Sequence, residues 1–186
     1  MTEANPWKVK SSRVVYENPW MRVREDSVIT PTGKDGIYGV MESQDSVMVV
    51  ALNERHEVLL VRTFSYPDQS WNWELPGGGG DAEDPAVAAA RELEEETGLR
   101  ARVWEKLGAT RVCNGFMTEK MAVYLAHDLT ASGHKEVADE QVSQQKFFGL
   151  AEVAGMVARG EVNDGQSITG LYLLERWLDK QRSKED

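Results

Sequence analysis

The chain has 186 residues, a formal net charge of −10 and a sequence pI of about 4.9. Hydrophobic residues at 41% and aromatics at 8% are enough for a packed core, which excludes disorder as the main state. An acidic surface repels a phosphate backbone or an anionic membrane, so neither large nucleic acids nor lipid surfaces are expected partners.

Residues 1–10 lack the apolar segment of a signal peptide, and no run approaches the roughly 18 apolar residues of a membrane span. A soluble, cytoplasmic protein is expected. Residues 9–16, 20–29 and 37–42 are rich in Val, Ile, Tyr and Trp, with Asn18-Pro19 and the Pro31 to Gly36 segment between them. They read as a small antiparallel sheet. Residues 46–52 and 58–64 follow as apolar core strands joined by a polar hairpin connection at 53–57. A helix is predicted from Pro85 to Thr97, because Asp84 suits the N-cap, Pro85 the first turn and Gly98 the C-cap. Ala86, Ala90, Leu93 and Thr97 would line one face of it.

Strands are expected at 101–113, 121–127 and 146–148, then helices at 150–159, ended by Gly160, and at 166–178. Strands around a central helix, with two closing helices, make a mixed α/β layered domain. The single cysteine, Cys113, cannot form an internal disulfide, and His56, His127 and His134 have no ligand-like spacing, so zinc is not expected.

The chemistry concentrates in residues 73–99. On the predicted helix Glu92, Glu95 and Glu96 sit at i, i+3 and i+4, so three carboxylates share one face. Alone, that pattern is usually a solvated acidic face. Here Gly77 to Gly80 precede it, letting backbone approach a ligand closely, and Glu83 stands just before the cap. Clustered oxygens suit a hard cation such as Mg²⁺, which keeps waters and substrate phosphates in its octahedron. Arg91, one turn before Glu95, can hold that carboxylate. The glycines lack the spacing of a P-loop or a dinucleotide fingerprint. A flexible linker is the plain alternative.

Gly77, Glu83 and the run Arg91-Glu92-Leu93-Glu94-Glu95-Glu96-Thr97-Gly98-Leu99 resemble, with every spacing intact, the motif of the Nudix hydrolases. The resemblance implies a Nudix α/β/α sandwich with a mixed sheet, plus the small N-terminal antiparallel sheet. It also implies hydrolysis of a nucleoside diphosphate linked to another moiety. Glu92, Glu95, Glu96 and the carbonyl near Gly77 then resemble the metal ligands, with Arg91 orienting them and Glu83 beside them. The metal would be Mg²⁺, with Mn²⁺ possible. One departure is that relatives usually carry one more residue between the Leu-Pro-Gly turn and the glutamate matching Glu83.

Beyond the motif, the chain is similar to the ADP-ribose and nucleotide-sugar pyrophosphatase branch. Asn18-Pro19-Trp20, Pro31-Thr32-Gly33-Lys34, Trp73-Glu74-Leu75-Pro76, Gly115-Phe116-Met117-Thr118-Glu119 and Gly160-Glu161-Val162-Asn163-Asp164 occur in the matching order. The branch implies residues 1–43 as an N-terminal sheet that exchanges across a homodimer and binds the base. Residues 44–180 would form the hydrolase domain, and 181–186 a frayed tail. Trp20 and Tyr38 match the aromatics that clamp the base, and Glu119 joins the substrate-binding set. Many relatives use an arginine where this chain has Ser65; Arg62, three residues earlier, is the candidate replacement. A glutamate of the 131–141 loop is recruited to activate water, Glu140 matching best and Glu136 second. The expected activity is cleavage of ADP-ribose or a nucleoside diphosphate sugar to a nucleoside monophosphate and a sugar phosphate. Alternatives are a nucleoside triphosphate pyrophosphohydrolase of the same family and a non-hydrolytic nucleotide-sugar-binding module.

Overall fold

The computed structural model describes residues 4–80, 82–133 and 142–185. The chain divides into two compact units, one of residues 1–45 with 111–120, the other of 46–110 with 121–186. In the first, β1 (Lys8–Glu17), β2 (Met21–Ile29) and β3 (Asp35–Ser43) form an antiparallel sheet in that order. The expected turn closes it: Gly33 takes φ 81°, a left-handed conformation that favours glycine, and its N–H donates to the Thr30 carbonyl. Cross-strand ion pairs, Arg13 with Glu25 and Arg22 with Glu42, fix the register. All ten residues of β1 are exposed, among them Val9, Val14, Val15 and Tyr16.

The second unit carries β4 (Ser46–Ala51), β5 (Val58–Ser65), β6 (Ser70–Glu74), β7 (Gly77–Gly79), α1 (Pro85–Thr97), most of β8 (Leu99–Arg111) and β9 (Lys120–Ala131), then β10 (Val142–Phe148), α2 (Leu150–Ala158) and α3 (Gly165–Glu185). One sheet runs β7-β4-β9-β8, with β4 parallel to β9 and antiparallel to β7, and is therefore mixed. The other is β10-β5-β6, antiparallel throughout. Alternation along β4 decides what covers each face. Val47, Val49 and Ala51 pack with Ala88, Ala89 and Leu93 of α1. Val50 turns the other way, toward Gly170 of α3. Helices thus cover both faces of the mixed sheet, the α/β/α arrangement. Burying Leu93 completely contributes about 2 kcal/mol toward it.

The sequence expectations need four corrections. Residues 53–57 do turn the chain, but β4 and β5 share one bridge, Leu52 with Val58, and then enter different sheets. Both strands are apolar on both faces, so each sits inside its own sheet rather than pairing as half a hairpin. The buried face of α1 is Ala88, Ala89, Leu93 and Thr97; Ala86 is exposed. The four glycines contribute a short strand, since Gly77–Gly79 pair with β4. The expected frayed end is helical to Glu185, supported by Asp179 bridging to Arg176 and Arg182. Among the described residues, no helix is long and apolar enough to cross a membrane.

Candidate active site

α1 begins and ends as its local chemistry dictates. The Asp84 carboxylate accepts the Ala86 N–H at 2.8 Å, and Gly98, at φ 69°, donates to the Glu94 carbonyl at 2.8 Å. These caps set the helix register, and with it the face on which Glu92, Glu95 and Glu96 stand. Arg91 gathers the neighbourhood. One guanidinium nitrogen donates to both Glu92 Oε1 and Glu95 Oε2 at 3.0 Å, another to the Gly79 carbonyl at 3.0 Å, and Nε lies 3.3 Å from Glu83 Oε1. Arg91 therefore ties helix, glycine strand and loop carboxylate together.

The glycines are where backbone comes closest. A Cβ on Gly77 would lie 2.4 Å from the Val47 carbonyl oxygen, and one on Gly78 would lie 2.7 Å from the Glu92 carboxylate. Both positions exclude a side chain in the observed geometry. The backbone N–H of Gly77 donates to Glu96 Oε2 at 3.1 Å. Burial pushes the Glu96 carboxyl up to about 8; the Gly77 N–H opposes this, and the charges of Glu92, Glu74 and Glu95 reinforce it. A buried carboxyl so short of positive charge, flanked by further carboxylates and backbone carbonyls, is an all-oxygen donor set that fits a hard divalent cation. Among the described residues no three acidic, histidine or cysteine side chains are already drawn into a metal cage; Glu92 and Glu95 accept from Arg91, and Glu96 from the Gly77 N–H.

Other residues singled out from sequence fall in different places. Arg62 pairs across β5 and β6 with Trp73, and its guanidinium lies 5.9 Å from the Trp71 ring centre. Alternation puts Thr63 and Ser65 on the opposite face from Arg62. Thr63 shares its face with Glu74 and with Gln145, which donates to the Thr97 carbonyl of α1. Arg62 is thus on the wrong face to replace an arginine at position 65, where the Ser65 hydroxyl instead binds Asp68.

In the first unit, Trp20 is 79% exposed, while Tyr38 donates to the Gly115 carbonyl and meets Trp7 edge-on, ring centres 5.4 Å apart. Glu119 accepts the Ser43 hydroxyl at 3.4 Å. Met21 pairs with Ser43 and Asp26 with Tyr38, so Trp20 and Tyr38 stand at different points along the sheet. At about 3.3 Å per residue, the step from Trp20 to Asp26, the partner of Tyr38, puts the two aromatics of one chain roughly 20 Å apart, too far for one base to touch both. Glu136 and Glu140 lie outside the described residues.

Sequence reasoning missed Glu74 as a site group. Burial raises its carboxyl above the usual range, Thr63 hydrogen bonding opposes this, and the charges of Asp164 and Asp68 add to the rise. The signal available was a carboxylate between Trp73 and Leu75 in an otherwise apolar segment. Trp7 was missed because it lies ahead of β1 and meets Tyr38 only through a tertiary contact between segments remote in sequence.

Residues 42–169 match the NUDIX domain, and residues 7–41 match the nucleoside diphosphate sugar hydrolase N-terminal domain. The chain is 32% identical over 164 residues to an ADP-ribose pyrophosphatase of Mycobacterium tuberculosis, covering 87% of this chain and 79% of that protein. It is 31% identical over 170 residues to a CMP-5'-(N-acetyl-N-hydroxy-3-aminopropyl)phosphonate hydrolase of Streptomyces rubellomurinus, covering 90% and 82%. A crystal structure of an ADP compounds hydrolase superposes with a TM-score of 0.85 over 97% of this chain and 98% of that one, at 20% identity, and shares the fold.

Proposed function

The chain belongs to the Nudix hydrolases, and from that premise we propose that it cleaves the diphosphate of ADP-ribose or of a nucleoside diphosphate sugar. The observation that carries this reading is the buried Glu96 held by Gly77 beside Glu92 and Glu95. Water attacks one phosphorus, the bridging P–O bond breaks, and a nucleoside monophosphate and a sugar phosphate leave. Glu140, or Glu136 in its stead, takes the proton of the attacking water. Glu92, Glu95, Glu96 and the Gly77 carbonyl would hold Mg²⁺ or Mn²⁺, which when bound supplies neutralisation of the phosphoryl oxygens and a lower pKa for bound water. Arg91 keeps Glu92 and Glu95 oriented throughout.

The match at residues 7–41 and the names of the similar proteins support the substrate class over nucleoside triphosphates. The enzyme acts as a cytoplasmic homodimer, in keeping with a free Cys113 and with a β1 strand exposed along its whole length. Each base is held between Trp20 of one subunit and Tyr38 of the partner subunit, an arrangement motivated by their separation along a single sheet. Its substrates are tested by incubating the protein and Mg²⁺ with ADP-ribose, GDP-mannose, UDP-glucose, CDP and nucleoside triphosphates, and separating the products. Monophosphate release from ADP-ribose or a nucleotide sugar is expected. Turnover of triphosphates alone contradicts the substrate assignment, and metal-independent binding without turnover indicates a binding module.

A further inference from the structure

Leu75, Pro76 and Gly77 are held at three successive backbone points. The Leu75 N–H donates to the Ser167 hydroxyl at 2.9 Å, the Pro76 carbonyl accepts the Val49 N–H at 2.8 Å, and the Gly77 N–H reaches Glu96 at 3.1 Å. Two of these partners lie in the mixed sheet and in α1. The third comes from the first turn of α3, distant in sequence, and is completely buried.

Ser167 is itself fixed. Its N–H donates to Asp164 Oδ2 at 2.6 Å, and the Gln166 N–H to Asp164 Oδ1 at 3.2 Å, so Asp164 caps α3 and sets where the hydroxyl stands. One turn on, Gly170 leaves the space that the Leu75 side chain fills: a Cβ there would lie 2.6 Å from Leu75 Cδ1. The start of α3 thus grips Leu75 by backbone and by side chain. Gly77 follows two residues later, lying so close to β4 that a Cβ on it would be 2.4 Å from the Val47 carbonyl oxygen.

We propose that Ser167 is a positioning residue for hydrolysis, using its buried hydroxyl to anchor Leu75 so that Gly77 presents its N–H and carbonyl correctly beside Glu96. The inference rests on the reading of Glu96 and Gly77 as cation-holding groups. Ser167 touches neither substrate nor reacting atoms. It acts through the backbone, and groups of this kind typically alter metal affinity or activity by about 10 to 100-fold when removed.

The test compares the full chain with Ser167→Ala, Ser167→Cys and Glu96→Gln. Mn²⁺ binding is measured by calorimetry without nucleotide, and kcat and KM with ADP-ribose and Mg²⁺. Ser167→Ala is expected to weaken Mn²⁺ binding about tenfold and to lower kcat about as much, with KM for the nucleotide unchanged. Ser167→Cys, of similar volume with a weaker acceptor, should be intermediate. A Ser167→Ala protein with a lower Tm but native Mn²⁺ affinity and kcat reduces the serine to packing and overturns the proposal. Should the alanine variant not fold, native Mn²⁺ affinity in Ser167→Cys overturns it equally. If Glu96→Gln keeps native Mn²⁺ affinity, the metal reading itself has failed; if it loses affinity while the serine variants do not, only the role of Ser167 has.

Discussion

The backbone N–H of Gly77 donates to the Glu96 carboxylate at 3.1 Å, and together with the Arg91 bond to the Gly79 carbonyl it joins the glycine strand to the acidic face of α1. One N–H offsets little of the burial that raises Glu96 to about 8. The native metal-free protein therefore binds a proton at Glu96 more tightly than the unfolded chain does. Between pH 4.5 and about 8 the native state holds more protons, so this group makes stability fall as pH rises. Denaturation in EDTA across that window should show the loss in the wild type, and Glu96→Gln should abolish the Glu96-dependent part. Equal pH slopes in the two proteins would refute the shifted carboxyl.

Gly77 and Gly78 should respond differently to alanine. At Gly77 the new methyl meets backbone, the Val47 carbonyl at 2.4 Å, which cannot move cheaply. A loss of about 1 to 3 kcal/mol is expected, by comparison with other overpacked sites. At Gly78 the methyl meets the Glu92 carboxylate at 2.7 Å, the flexible end of a side chain. Gly78→Ala should fold nearly as well as wild type yet lose activity, because Glu92 is displaced. Urea denaturation and rate measurements on both variants separate the two effects.

Arg91→Lys should keep a positive charge but lose the planar fork that reaches Glu92, Glu95 and Gly79 together. An activity loss of about tenfold or more is expected, in the range seen when groups orienting metal ligands are removed. Rates measured across a Mg²⁺ titration should show a higher half-saturating concentration. A native Mg²⁺ dependence in Arg91→Lys would argue against the orienting role.

Glu140→Gln should lower the maximal rate by about 10² to 10⁴-fold with little change in metal or nucleotide affinity, as expected for a general base. A large loss in Glu136→Gln with a near-normal Glu140→Gln would move the base to Glu136. Normal rates in both would place it outside the 131–141 loop.

What was legible from sequence was what is decided locally. Asp84, Pro85 and Gly98 each carry their own capping chemistry, so α1 was readable to the residue, and the spacing of Glu92, Glu95 and Glu96 fixed their shared face. The helix face that packs was harder, since alanines on several sides are interchangeable until a sheet selects Ala88 and Ala89. The partners of β4 and β5 were not readable, because continuously apolar strands carry no alternation to tell one sheet from another. Arg62 failed for the opposite reason: three residues from Ser65 is an odd step, and strand alternation sends it to the far face. Glu74 and Ser167 depend on contacts between segments remote in sequence, which no local pattern announces.

The central claim is that a diphosphate is cleaved at the carboxylate face built on Glu96. It is tested most directly by the turnover of ADP-ribose with saturating Mg²⁺ in wild type and Glu96→Gln, with products identified by ³¹P NMR. Wild type should yield AMP and ribose 5-phosphate, and Glu96→Gln, folded and at least as stable in EDTA, should be slower by about 10²-fold or more, comparable to losing other charge-stabilising groups. Wild-type turnover in Glu96→Gln would contradict the claim.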